Sequence, residues 1–377
     1  MGFDMDLMTA DEVVQGGEPS RTLYLHLLSR LLLNDTVVSN KIGSDHVMQT
    51  LSDWNQEEVS RFLAFANLHH VLVRALEALQ SSNAGVMSSR LSNQCASALV
   101  TEQARISRAM SVLEALCDKL ESEGCAAVVI KSLDHWPDIG SDLDLYTGGR
   151  QEQIVSILKN SFAAEVLPRS WGDRLAHKWN FRLPGLSEAV EVHMGCLGQT
   201  GEHLYLARRV ADRAISRTVA GHTFRVPAPE ERVLITTLQR MYRHFYCRLC
   251  DIVDTANLIQ AQELDYTILR GAAEPSGIWP GVTAFLLAVR EYARTYGVGL
   301  ELPAGVFSAA HGETLRLRGD FLRISIVPQA AGLFLHQVLS AGTQKNLRTV
   351  GRLSLLPGMA AAAFVAYKIT GNDKGVW

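Results

Sequence analysis

At Gly124 the hydrophobic pattern of the chain changes period, and this change separates what can be helix from what has to be sheet. From about Thr22 to Glu123, apolar residues recur mostly at three- and four-residue steps, as in Leu63, Ala66, Val71, Val73 and Leu76, and again in Ile106, Met110, Leu113, Cys117 and Leu120. That spacing builds one buried face of a helix. Gly124 can take the left-handed conformation that ends a helix, and Ala126, Ala127, Val128, Val129 and Ile130 follow as the short apolar run of a buried strand.

Downstream, Asp142 to Tyr146 alternates polar and apolar residues, Gln151 to Phe162 returns to helical spacing, and Lys178 to Leu183 leads through Pro184-Gly185 into the alternating Ala189 to Met194. The Pro-Gly step is a hairpin signal. Pro227 and Pro229 then precede Glu230 and Glu231, acids suited to a first helical turn, and the pattern stays helical through Ile259 and, less clearly, to the end. The expected architecture is therefore α+β: a small mixed-sheet core over 116–226, flanked by an N-terminal helical domain over 22–115 and a C-terminal helical domain over 227–377. Gly16, Gly17 and Pro19 mark residues 1–21 as a loose tail, and Ser81 to Gly85 reads as a turn between helices.

Charge limits the partners. With 36 Lys and Arg against 39 Asp and Glu, the net charge of -3 provides no global positive field. No nucleic-acid signature is present, although the third region is locally basic, with Arg240, Arg243, Arg248, Arg316, Arg318, Arg323, Lys345, Arg348 and Arg352. Six scattered cysteines and no signal peptide read as reduced thiols in a cytoplasm. Cys247 and Cys250 form a C-x-x-C, but no second Cys or His pair stands nearby at zinc spacing and the stretch reads as helix, so no zinc site is expected there. The Ala- and Val-rich run from Leu355 to Ile369 contains Pro357, Gly358 and Lys368 and falls short of the roughly 20 apolar residues of a spanning helix. It reads as a buried C-terminal helix rather than a transmembrane segment, with an interfacial or partner-binding helix as the second reading.

The chemistry is concentrated at Ser141-Asp-Leu-Asp-Leu145. On a strand, Asp142 and Asp144 project from one face while Leu143 and Leu145 face the core. Two such carboxylates repel unless a cation lies between them, an arrangement that suits Mg²⁺ bound together with substrate phosphates. An isolated Asp-x-Asp is more often a solvated surface pair. Here, however, an apolar strand ends in Lys131-Ser132, and a turn-rich linker with His135, Trp136, Pro137, Asp138 and Gly140 leads directly into the pair. Such a strand end can offer N–H groups, a hydroxyl and a cation to a phosphate. A third acid, Glu191, shares a strand face with His193, with Val190 and Val192 on the other side; His193 could orient Glu191 or take a proton from an acceptor. Arg240, Arg243, His244, Arg248, Asp251 and Asp254 fall at helical spacing, either as a salt-bridged face or as a basic wall over a nucleotide cleft. His69, His70 and Trp54 read simply as core or surface residues.

These pieces, in this order, resemble the nucleotidyltransferase superfamily that includes the polymerase-β-type minimal enzymes. More closely, they are similar to an uncharacterised nucleotidyltransferase family with a helical N-terminal region. Trp54 to Ala78 resembles its opening helices, Val128 to Leu145 its active-site segment, Val190 to His193 its third-acid strand, and Pro229 to Ile259 its Arg-Leu-x-Asp-x-x-Asp helix. The likeness spans about 50 to 260. That family usually has Lys-Gly where this chain has Lys131-Ser132.

The resemblance implies that Asp142 and Asp144 hold Mg²⁺ or Mn²⁺ ions around the phosphates of a nucleoside triphosphate, plausibly ATP, and that Glu191 helps to hold the ion that activates the acceptor. Ser132 would contact the β- and γ-phosphates. Lys131, Ser141, Arg243 and Arg248 complete the nucleotide-binding set, with His193 behind Glu191. A nucleoside monophosphate, AMP if ATP is the donor, would pass to an unidentified small-molecule or macromolecular acceptor, with release of pyrophosphate. Two alternatives remain at this stage: a nucleotide-binding or scaffolding protein with a decayed site, and a glycosyltransferase that uses its Asp-x-Asp for a metal-bound nucleotide sugar.

Overall fold

The computed structural model describes residues 20–33, 47–81, 88–307, 315–324 and 329–370. The expected tail, apart from Ser20 and Arg21, and the expected turn after Ser81 lie outside them. Local chemistry sets the first helices. Asn55 accepts hydrogen bonds from the Glu57 and Glu58 amides, and the Asn55 amide donates to the Glu58 carboxylate, so both halves of this capping box start the helix Gln56–Leu68. Its buried face, Val59, Phe62, Leu63, Phe65 and Ala66, packs with Tyr24 and Trp54, whose rings meet Phe62 edge-on. His69 is a satisfied core histidine: Nε2 lies 2.8 Å from the Asp320 carbonyl, and Nδ1 accepts from the Leu249 amide.

The long helix Ser89–Ser122 continues through residue 115 before Gly124, at φ +73°, ends it as its sequence position predicts. The central sheet follows, from strands β1 (Ala127–Val129), β2 (Asp142–Thr147), β3 (Glu165–Val166), β4 (Lys178–Arg182) and β5 (Ala189–Met194) in the order β1-β2-β5-β4-β3. β2 and β5 run parallel, and the other neighbours are antiparallel, so the sheet is mixed. The expected Pro-Gly hairpin joins β4 to β5, with Gly185 at φ +78°. Leu143, Leu145, Val190 and Val192 are fully buried on one face, which leaves the polar residues of β2 and β5 on the other. A hairpin, β6 (Ile215–Val219) and β7 (His222–Val226), closes the region. The fold is α+β, with helical flanks, and one continuous apolar core runs through all three parts.

The structure corrects two expectations. The helix from Pro229 does not continue to Ile259. It becomes a π-helix, Leu238–His244, and stops at Phe245 in the left-handed region (φ +56°). Tyr246–Cys247 then forms a short strand, β8, that pairs with Phe321–Arg323 (β10), itself paired with Arg316–Arg318 (β9), before helix Leu249–Gln260 begins. Nothing in the side chains signals a left-handed Phe; the strand pairing from a distant segment takes the chain out of the helix. The second correction concerns the C-terminus. Leu355–Thr370 is helical but mostly exposed: Met359 and Ala363 are buried in a small cluster with Leu175, whereas Phe364 is 63% and Ile369 78% exposed. Apolar composition shows that such a helix favours cover, not how much of it is covered. The apolar run also starts earlier than Leu355: the 20-residue stretch Leu347–Ala366 is long and apolar enough, by length and composition alone, to cross a membrane.

Candidate active site

Strand geometry assembles the polar cluster. Because side chains alternate along β2, Asp142 and Asp144 share a face, and because β5 is parallel and in register, Glu191 stands opposite Asp144 and His193 opposite Tyr146. The His193 ring nitrogen Nε2 lies 2.8 Å from Glu191 Oε1 and 3.6 Å from Asp144 Oδ1.

A lysine from the preceding strand end reaches into this cluster. Lys131 has a left-handed backbone (φ +61°), a conformation that glycine adopts without strain, and its ammonium contacts Asp144 Oδ1 and lies 3.3 Å from Glu191 Oε1. Burial alone would lower its pKa, but Asp144 and Glu191 hold it above the ordinary lysine value. A second lysine, Lys178 of β4, lies 2.9 Å from Glu191 Oε2 and 2.9 Å from Asp173, an acid held in a capping box with Ser170. Burial works to raise the Glu191 pKa, but Lys131, Lys178 and His193 together hold it well below the usual carboxylate range. Sequence reading did not single out Lys178 or Asp173. Period-2 alternation from Glu191 through the hairpin would have placed Lys178 on the same face, since it pairs with His193 in register.

Ser132 has a different part. Its hydroxyl donates to the Asp142 carbonyl (3.2 Å) and accepts from the Asp144 amide (2.7 Å), fastening the Lys131 turn to β2. Ser141 Oγ lies 3.4 Å from the Asp142 carboxylate. Asp142 itself sits at the solvent-facing edge, and its pKa is pushed up to about 6, first by the desolvating surroundings and then by Asp144 and Glu191. This excess of negative charge on one strand face is what a hard divalent cation relieves, so the Asp142 and Asp144 donor set suits Mg²⁺ or Mn²⁺. Glu191 already has both oxygens engaged by cations or by His193.

The acids open on a cleft of about 200 Å³, lined beside them by Lys131, Ser132 and Ser141 and also by Arg243 and His244 of the π-helix and by Arg248, just after β8. A larger cavity, about 350 Å³ among Ile259, Leu264, Tyr266 and Leu300, contains none of these groups. The two sequence readings of the basic helix divide by residue. All three arginines border the cleft, but Arg240 is buried and paired with Asp251 at 2.7 Å, whereas Arg243 and Arg248 have no acid paired with them there among the described residues. Asp251 also accepts from the Arg248 amide at 2.6 Å, so the buried pair fixes the place where the basic wall begins.

The order of these elements agrees with what the family comparison finds. The sequence model of the family described as "Uncharacterised nucleotidyltransferase" matches residues 55–294, well over half of the chain. The chain belongs to this nucleotidyltransferase family. The matched span takes in every element that builds the cleft described above. No curated protein matches the chain. Among solved structures, a crystal structure of an antigenic nucleotidyltransferase-like protein from Paracoccidioides brasiliensis is similar at 18% identity, covering 53% of this chain and 96% of its own, with a TM-score of 0.31.

Proposed function

We propose that this nucleotidyltransferase family member moves a nucleoside monophosphate, AMP from ATP in the simplest case, onto an acceptor in a reaction that depends on Mg²⁺ or Mn²⁺. The observation that carries the reading is the Asp142 and Asp144 pair on one face of β2, in one cleft with Arg243 and Arg248. The acceptor atom forms a bond to the α-phosphorus, the bond from that phosphorus to the bridging oxygen breaks, pyrophosphate leaves with the electron pair, and the acceptor loses its proton. A bound divalent cation would neutralise the charge that builds on the phosphate oxygens.

The chain's own groups do the positioning. Asp142 and Asp144 would hold the cation at the cleft edge. Arg243 and Arg248 would bind the β- and γ-phosphates, which sets the α-phosphate over the acids. Lys131 neutralises Asp144 and Glu191 and stands where its ammonium can reach a phosphate oxygen. Glu191, tied to Lys178 and His193, orients both cations around the floor of the site. The Ser132 hydroxyl is committed to β2, so its support is to keep Lys131 and the acid pair in register.

One observation favours a second reading, a nucleotide-binding protein with a decayed transferase site: the Lys131 ammonium already lies among Asp144, Glu191 and His193, three groups that could otherwise share a cation. The glycosyltransferase reading gains no support, because among the described residues a single strand, β1, precedes the acid pair in the sheet. A thermal-shift screen of nucleoside triphosphates with and without Mg²⁺, followed by measurement of released pyrophosphate, separates the first two. Mg²⁺-dependent stabilisation together with pyrophosphate release supports transfer. Binding that is indifferent to Mg²⁺, without pyrophosphate, supports the decayed site.

A further inference from the structure

The C-x-x-C that ends at Cys250 has no second Cys or His pair near it in sequence, but the fold brings two histidines to Cys250. His70 comes from the turn between helices Gln56–Leu68 and Leu72–Ser81, His135 from the linker before β2, and one ligand atom of each lies within 4.8 Å of the others and of the Cys250 sulfur. We propose that His70, His135 and Cys250 form a binding site for a transition-metal cation of the zinc class, with its remaining coordination position open to the cleft that holds Lys131 and Asp142. This inference does not rest on the proposed transfer reaction.

Three observations carry it. The first is spacing: the Cys250 sulfur lies 3.7 Å from His135 Nε2, and two such ligands on one tetrahedral zinc ion stand about 3.6 Å apart from the usual bond lengths. The second is the support behind His135. Its Nδ1 lies 2.5 Å from Asp254 Oδ2, while Asp254 Oδ1 accepts from Arg74 at 2.6 Å. A ligating imidazole typically has its second nitrogen held by a carboxylate in this way, which aims Nε2 at the metal.

The third is His70. Its backbone is left-handed (φ +53°), its Nδ1 is buried without a hydrogen-bond partner, and its ring lies over Gly140, where a Cβ would come within 2.8 Å of Cε1. A buried nitrogen without a partner is costly unless something occupies its lone pair. Imidazole and thiolate ligands select zinc-like ions over Mg²⁺, which keeps this site chemically separate from the Asp142 and Asp144 pair.

The test is an anaerobic titration of the full chain with Co²⁺, read by its visible absorption and by the near-ultraviolet thiolate-to-cobalt charge-transfer band, followed by displacement with Zn²⁺. One equivalent with a thiolate band is expected, kept in Asp142→Asn and lost in Cys250→Ser. His70→Ala, at a half-buried position, should bind at least about tenfold more weakly while it stays folded. No thiolate band in the wild-type protein, which would leave only a thiol–imidazole hydrogen bond, overturns the proposal. So does a band that survives in Cys250→Ser, or unchanged Co²⁺ affinity in folded His70→Ala; the wild-type titration decides even if the cysteine variant fails to fold.

Discussion

Asp144 and Glu191 stand directly opposite each other on adjacent parallel strands, and the Lys131 ammonium touches the first and lies 3.3 Å from the second. Two buried acids at this separation would repel each other strongly without a cation. In this chain a covalently attached cation occupies that position, so any free cation has to compete with it or bind beside it.

Lys131→Gln removes the competitor and keeps a polar side chain. Mg²⁺ binding in the absence of nucleotide should tighten by about tenfold or more, since one unit charge is withdrawn from contact with Asp144. Isothermal titration of wild type and variant measures it; weaker Mg²⁺ binding in the variant would mean that the lysine organises the acids for the ion instead.

Asp142 makes the site pH-sensitive. Its folded pKa of about 6 is above the ordinary aspartate value, so between that value and about 6 the folded state holds a proton that the unfolded state has lost. Stability from this group therefore falls as pH rises through that window and is level above it. A bound cation competes with the same proton, so Mg²⁺ affinity should be constant above pH 7 and decline as pH drops below about 6. Asp142→Asn should flatten both profiles. A wild-type Mg²⁺ affinity that does not change between pH 7 and 5 would contradict this.

On the proposed reaction, Asp142→Ala and Asp144→Ala should each reduce metal-dependent pyrophosphate release by more than about 100-fold, because the cation they would hold would contribute several kcal/mol to the transition state. Asp142→Ala should leave the circular-dichroism spectrum nearly unchanged and, above pH 6, should keep or raise the melting temperature, since the ionised carboxylate is repelled by Asp144 and Glu191 in the folded state. A wild-type rate in either variant would remove the site from consideration.

Two arginines three residues apart should behave differently. Arg243→Ala, in the cleft wall, should raise the KM for the nucleotide with little effect on folding. Asp251→Ala leaves the Arg240 guanidinium buried without its partner and should cost about 3–5 kcal/mol of stability. Urea unfolding of both variants alongside nucleotide kinetics distinguishes the roles; equal stability losses would show that both arginines are structural.

Much of the core was legible because period-2 patterning is a direct consequence of strand geometry. Leu143 and Leu145, Val190 and Val192 each marked a buried face, and so placed Asp142, Asp144, Glu191 and His193 on the other. Gly124 and the Pro184-Gly185 step set the boundaries for equally local reasons. The rest depended on contacts that no local pattern encodes. Lys178 meets Glu191 only because β4 pairs with β5 in one register, Phe245 leaves the helix because β10 captures the next two residues, and His70 reaches Cys250 through a turn anchored at His69. The Leu355–Thr370 helix failed for a further reason, in that an apolar run gives the preference for cover but not the position of its partner.

Arg74 joins the three parts of the chain through one side chain. From the N-terminal helices it donates to Asp138, in the linker before the acid pair, and to Asp254, in the helix that carries Cys250. With the shared apolar core, this makes independent melting of the parts unfavourable. The protein should unfold in a single calorimetric transition, and a chain that began at residue 116 would leave both carboxylates without their guanidinium. The N-terminal helices thus supply cooperativity: their unfolding and the loss of the loop that positions Asp142 are one event.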